Sequence, residues 1–409
     1  MNSTMRNTSK PKTVKHNNRK VVLSLLRQSG PVTISELAEK SRLSKQTLMK
    51  IVQYYLTEGL VTLLGKGTST DEGGKKPNLF AFKPEVMYSM GIQLSGDEGL
   101  LFGVLTDLNS QIRQQIDIPL TFNTDLTTVL DKIAVAYRQL LGLQRISSDR
   151  LIGLAVGTHG YTNYETGVVL VSPHNPVWGR DVPFKKLVEE RVRDAIPVHV
   201  DNQIRYQAFA EKTLGAGRQE RNIIVLRCGI GAIAGVVQEN ALKRGRHFLA
   251  GHVGHMIVDP YDEEECLCGA RGCFEVLIST ERLLRAARAG YNQNKDSQIF
   301  NNTPEQIKID DIFSASNQND AYAQALIDEV VDWFAIALSN LNLMYDPDLV
   351  ILQGVYARAG DYFLQQLRER VTHVSLLNLE KQIRIEYSQM GRQAGAIGAA
   401  SYLISEFFR

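Results

Sequence analysis

The chain has 409 residues, 44% hydrophobic and 22% charged, and its 46 Lys and Arg against 44 Asp and Glu leave a formal net charge of +2. That composition excludes a wholly disordered chain, and no apolar run approaches the roughly 18 residues a membrane span needs. The length exceeds what one core usually supports, so two or three domains are expected.

Charge is unevenly placed. Residues 1–85 carry 15 Lys and Arg against 6 Asp and Glu, while the remainder carries 31 against 38. A basic amino-terminal module on an acidic body suggests that one part meets a polyanion. The first residues are rich in Asn, Ser, Thr, Lys and Arg with no apolar stretch. They are expected to form a mobile basic arm over 1–15 rather than a secretory signal, which makes the cytoplasm the expected location.

From His16 to Arg27 the residues Val21, Val22, Leu25 and Leu26 define one apolar helix face, ended by Gly30-Pro31. Thr33 and Glu36 form a capping box for a short second helix that turns Leu37 and Ala38 inward. Ser44 caps a third, with Leu48, Ile51, Val52, Tyr55 and Leu56 at helical spacing. Its other face offers Lys45, Gln46, Thr47 and Lys50 near the N-terminus, where a recognition helix meets base edges and phosphates. Val61–Leu64 and Leu79–Phe82 read as a hairpin around a glycine-rich wing carrying Lys75 and Lys76. The pattern is a winged helix-turn-helix over 16–85, and double-stranded DNA is its expected partner.

Beyond residue 85 the pattern becomes α/β. Ser89–Leu94, Leu100–Leu105 and Ile112–Ile118 suggest an antiparallel meander, followed by helices near 125–142 and 183–195 that alternate with strands at 151–156 and 197–200. A similar series begins after a helix near 204–214, with strands at Ile223–Arg227 and Ala232–Val237. Helices near 275–289, 306–315 and 320–344 precede a strand at Leu349–Leu352, and a last helix near 394–407 is expected to pack on the first lobe. Two lobes of like build with a cleft between them follow: 86–200 completed by 390–409, and 201–389.

Three of the four cysteines, Cys266, Cys268 and Cys273, fall within eight residues, with His255 upstream. Three clustered thiols cannot pair evenly as disulfides. Thiolates and an imidazole suit a tetrahedral ion, and Gly269 and Gly272 permit the tight turns, so the spacing predicts a structural zinc site. Cys228 reads as an ordinary buried thiol.

The amino-terminal module, the two-lobed body, and Gly251-His-Val-Gly-His255 followed by the three cysteines and Glu275 together resemble the ROK family, which groups repressors, open reading frames and sugar kinases. The resemblance covers essentially the whole chain and is to the repressor branch. It implies an actin-like, ribonuclease-H-like body, dimers or tetramers, and a sugar effector in the cleft, contacted by Asn202, Gln203, His252, His255 and Glu275. His159, His174 and Asn175 lie on turns that line the sugar site in the family, where ligand contact and local hydrogen bonding are both open.

Measured against the family's kinases, several parts are replaced: the base by Gln203, the first phosphate-loop carboxylate by Gln93, a glycine of the second phosphate turn by Ile233, and a paired glycine by Gln353. An amide cannot accept the proton of a sugar hydroxyl. The expected protein is a sugar-responsive repressor and not an enzyme; an active sugar kinase fused to a DNA-binding module is the alternative. His252 also stands where the family usually has Glu, so a Gln and a His replace two carboxylates, which either makes the cleft friendlier to an acidic or phosphorylated sugar or marks a different hydroxyl pattern.

Overall fold

The computed structural model describes residues 11–67, 76–300, 303–374 and 383–409. Three helices open it: α1 (Pro11–Ser29), α2 (Ile34–Ser41) and α3 (Lys45–Thr57). The described part of α1 includes residues 11–15, which sequence placed in a mobile arm and which are helical. The Thr33–Glu36 capping box is formed, Arg42 takes the left-handed conformation that closes α2, and the Thr47 N–H donates to Ser44 Oγ at 3.2 Å to start α3. The strands β1 (Val61–Lys66) and β2 (Asn78–Phe82) pair antiparallel, and Val32 exchanges backbone hydrogen bonds with Phe80 at 2.9 Å. Lys75 lies outside the described residues, whereas Lys76 is exposed at the hairpin.

The first lobe holds β3 (Tyr88–Ser95), β4 (Leu100–Asp107), β5 (Ile112–Pro119), α4 (Leu126–Gln144) and β6 (Leu151–Thr158). A small three-stranded sheet of β7 (Tyr161–Asn163), β8 (Val168–Val171) and β9 (Arg180–Val182) interrupts it before α5 (Phe184–Val192) and β10 (Val198–Asn202). The main sheet runs β5-β4-β3-β6-β10, antiparallel across β3, β4 and β5 and parallel across β3, β6 and β10. Asp201 and Asn202 still belong to β10, two residues beyond the lobe boundary read from sequence.

After α6 (Gln203–Thr213) the same pattern recurs with β11 (Ile223–Cys228), β12 (Ala232–Gln238) and β13 (Ala241–Leu242). The cysteine-rich loop leads into α7 (Phe274–Leu277) and α8 (Thr280–Ala289), which sequence joined as one helix. Ser279 separates them because its side chain accepts from Arg282 N at 3.2 Å and caps a new helix. Helices α9 (Ile309–Asn317) and α10 (Ala321–Tyr345), β14 (Leu349–Gly354), α11 (Gly360–Val374), β15 (Arg384–Tyr387) and α12 (Ala394–Phe408) complete the chain. The second sheet runs β13-β12-β11-β14-β15, the same order and sense as the first.

Two helices fill the space between the sheets. Helix α6 packs on β11 and β12, α12 packs on β3 and β6, and the two helices pack on each other. Their axes come close because side chains are absent at the crossing: a Cβ on Gly398 would stand 1.8 Å from Tyr206 O. The far end of α12 then leaves the body. Ile404 joins Val22, Leu26, Leu37, Leu48 and Ile51 in the core of the first three helices, with Phe407 and Phe408 packed against it. No helix among the described residues is long and apolar enough to cross a membrane.

Candidate functional site

Because β10 hands over directly to α6, the first residues of that helix face the gap between the lobes. A cavity of about 220 Å³ lies there, lined from the first lobe by Asp97, Phe122, His159, Tyr161, His174, Asn202 and Gln203. From the second lobe come Arg227, Ile233, His252, His255, Cys268 and Glu275.

Asn202 is held at both ends of its amide: Nδ2 donates to Gly160 O at 2.6 Å, and Oδ1 accepts from Ile204 N at 3.0 Å as the cap of α6. Gln203 follows, nearly fully buried, with Oε1 lacking a partner among the described residues. Asp201 stays out of the cavity and is consumed by Arg205 (2.6 Å) and Arg244 (2.9 Å). Asn175 does not line the cavity either, and local hydrogen bonding, one of the two readings left open for it, is what it makes. Its Oδ1 accepts from Asn123 N at 3.0 Å and its Nδ2 donates to Ser172 Oγ at 3.3 Å, so its amide ties two loops behind the cavity wall.

The three cavity histidines outside the cysteine cluster are packed on rings. His252 stacks on Tyr161 at 4.0 Å, and Phe122 sits between His159 and His174 at 5.0 and 5.1 Å. Burial pushes His159 and His252 down to about 4 and lowers His174 as well, so these imidazoles are neutral at pH 7. His252 Nδ1 lies 3.0 Å from Leu249 O, which makes that nitrogen the donor and leaves Nε2 a bare acceptor. His252 Nε2 and His159 Nε2 are both buried without a partner among the described residues.

One wall of the cavity is the cysteine loop. Its turns are fixed by Val258 N donating to Gly272 O at 2.9 Å and Cys266 N donating to Ala270 O at 2.8 Å. Gly272, at φ +71°, passes so close to Asp259 O that a Cβ would stand 1.7 Å from it. Ligand atoms of His255, Cys266, Cys268 and Cys273 all lie within 4.8 Å of one another. The Cys268 and Cys273 sulfurs are 3.7 Å apart, and Cys266 Sγ is 3.6 Å from His255 Nδ1. Bonds of about 2.3 Å to a tetrahedral ion would separate sulfurs by about 3.8 Å, so this donor set fits a metal ion. Glu275 joins cluster to cavity, with Oε1 accepting from the Cys266 thiol at 3.2 Å and Oε2 from Ala232 N at 3.4 Å. Cys228 is buried apart from the cluster, as read from sequence.

Sequence reasoning did not single out Asp97, Phe122, Tyr161 or Arg227. Arg227 Nη2 bridges the cleft to Asp97 Oδ2 and, at 3.1 Å, to Glu98 Oε1. A charge inside the apolar run Ile223–Cys228 was the available signal. Of the positions read as kinase losses, Gln93 Oε1 accepts from Ala396 N at 3.2 Å, and Gln353 Nε2 donates to Glu211 Oε1 at 3.0 Å.

Residues 90–406 match the ROK family. The chain belongs to that family. ROK relatives of full length include the xylose repressor of Bacillus subtilis, 27% identical over 394 residues that make up 96% of each chain. A ROK family transcriptional regulator, described as a homologue of the Escherichia coli MLC protein, superposes with a TM-score of 0.82 over 97% of both chains at 22% identity. A ROK glucokinase of Streptomyces griseus, solved with glucose and AMPPNP, matches 98% of its own length but 77% of this chain, with a TM-score of 0.67 and 25% identity.

Proposed function

We propose that this ROK protein is a repressor of sugar transport or catabolism genes, whose hold on operator DNA is set by a sugar or sugar derivative in the interlobe cavity. The observation that carries this reading is unbroken packing from cavity to amino-terminal module. Asn202 and Gln203 line the cavity at the start of α6, Tyr206 on the same helix meets Tyr402 of α12 with ring centroids 5.7 Å apart, and Ile404 ends in the core of α1–α3. Arg27 of α1 lies over the Phe408 ring at 4.7 Å. A ligand that favours one relative position of α6 and α12 therefore biases the seat of α3, and it weakens DNA binding if it binds the non-operator arrangement more tightly.

Helices α2 and α3 with the β1–β2 hairpin act as a winged helix-turn-helix in this reading. Lys45, Gln46 and Lys50 are exposed and Thr47 is half-exposed at the start of α3, as a groove-reading helix requires; Ser44 is its cap and Lys76 belongs to the wing. Two copies in a homodimer, or four in a tetramer, would set paired α3 helices about 34–36 Å apart on successive major grooves. His255, Cys266, Cys268 and Cys273 would hold zinc as a closed four-ligand site that stiffens the loop and leaves no position for catalysis. The body performs no phosphoryl transfer: Gln203 offers an amide where a base is needed, and Arg227 with Asp97 and Glu98 fills the adjoining space with paired charge.

Replacing Lys45 and Lys50 together with alanine is expected to lower the slope of log affinity against log salt by about two units, as two phosphate contacts would. Fluorescence anisotropy on a labelled operator duplex at four salt concentrations measures it. An unchanged slope would remove α3 from the DNA contact.

A further inference from the structure

The cavity is rich in groups that accept hydrogen bonds and poor in free positive charge. Gln203 Oε1 and His252 Nε2 are buried acceptors without donors among the described residues, and Asp97 and Glu275 add carboxylates to the lining. Among the described residues its one guanidinium is that of Arg227, which is 8% exposed and whose charge is already paired: Asp97 and Glu98 of the opposite lobe both accept from Nη2. The Arg227 stem is fixed as well, because its Cγ sits where Gly354 leaves room; a Cβ there would stand 3.2 Å away. Glu98 is in turn paired with Arg392, just ahead of α12.

We infer that Arg227 is the specificity-determining residue of the cavity, and that its pairing with Asp97 and Glu98 restricts the ligand to a hydroxyl-rich molecule carrying no anionic group. This inference rests on the reading of the cavity as an effector site. A lone buried guanidinium would receive a phosphate or carboxylate by paired hydrogen bonds. Here two carboxylates take that role, so an incoming anion meets like charge from Asp97 and gains little from Arg227. Hydroxyl groups meet both needs of the wall, donating to Gln203 Oε1, His252 Nε2 or Asp97 and accepting from guanidinium N–H groups. Burial keeps Asp97 costly to ionise, yet the Arg227 guanidinium holds its carboxyl below the ordinary range, while the cavity imidazoles described above add no charge at pH 7. An uncharged ligand departs from the acidic or phosphorylated sugar that a Gln and a His standing for two carboxylates suggested in the sequence, because Asp97 supplies negative charge from a turn that the sequence reading did not single out.

The test is calorimetric titration of the full-length protein with glucose, glucose 6-phosphate, glucuronate, xylose and xylonate. At least one uncharged sugar should bind, with its anionic counterparts about 100-fold weaker or more. In the Asp97→Asn, Glu98→Gln double variant, checked for an unchanged thermal melt, Arg227 is released and that penalty should shrink to about 10-fold or less. An anion binding the unaltered protein as tightly as its uncharged parent, failure of both uncharged sugars to bind, or an unchanged ratio in the folded variant would each overturn the inference; the first two readouts need no variant. Operator anisotropy on the same samples separates it from the repressor reading. Selective sugar binding that leaves DNA affinity untouched would reject the latter and retain the former.

Discussion

Ile404→Ala is expected to leave sugar binding within a few-fold of the unaltered protein while abolishing most of the sugar-induced loss of DNA affinity. Ile404 is 1% exposed and sits among residues of α1, α2 and α3, although its own helix belongs to the body. Truncating a buried Ile to Ala costs about 2–5 kcal/mol through lost burial and the cavity left behind. That cost falls on the joint between module and body, because the interlobe cavity lies toward the other end of α12, where Arg392 pairs with Glu98 beside the lining residue Asp97. Calorimetry for the sugar and anisotropy for the operator, run on one preparation, measure both quantities. Loss of sugar binding together with the DNA response would mean that Ile404 supports the whole fold and that α12 has no special place in coupling.

Cys273→Ser should have the larger effect on the cavity itself. The Cys273 side chain is fully buried, its sulfur faces Cys268, and the loop it anchors carries Leu267, Cys268 and Glu275 to the cavity wall. Structural zinc contributes about 10–16 kcal/mol in isolated zinc-finger peptides. In a large body only part of this appears as global stability, since the loop can open locally while the sheets stay folded. The expected result is loss of stoichiometric metal by atomic emission, faster amide exchange over residues 257–275, and sugar affinity lowered by about 10-fold or more, in line with the cost of disturbing a metal site's supports. Cys228→Ala, altered in the same second lobe but outside the cluster, should keep its metal. Full metal content in Cys273→Ser would remove zinc from the account.

The helices of the amino-terminal module were legible where pattern and length agreed. Leu48, Ile51, Val52 and Tyr55 repeat at helical spacing and are all buried, and the Thr33–Glu36 capping box forms as read. The cysteine cluster was legible because its ligands are close in sequence. Strands β7, β8 and β9, of three or four residues, are too short to show a period, and α11 and β15 were not read at all. The break between α7 and α8 turns on one capping serine inside an otherwise helical stretch. Asn175 was left open between ligand contact and local hydrogen bonding because a polar residue on a turn looks the same whether it faces a ligand or, as here, a neighbouring loop. The bridge from Asp97 to Arg227 spans 130 residues of sequence, and only the folding of two lobes onto a common helix pair brings it together.

The most direct test of sugar-controlled DNA binding is the affinity of the full-length protein for a duplex it selects from a random pool, measured by anisotropy with and without saturating uncharged sugar. The account predicts at least about a 10-fold loss of affinity with one sugar of the panel, the size of an ordinary allosteric coupling. An affinity that every sugar leaves unchanged would contradict it.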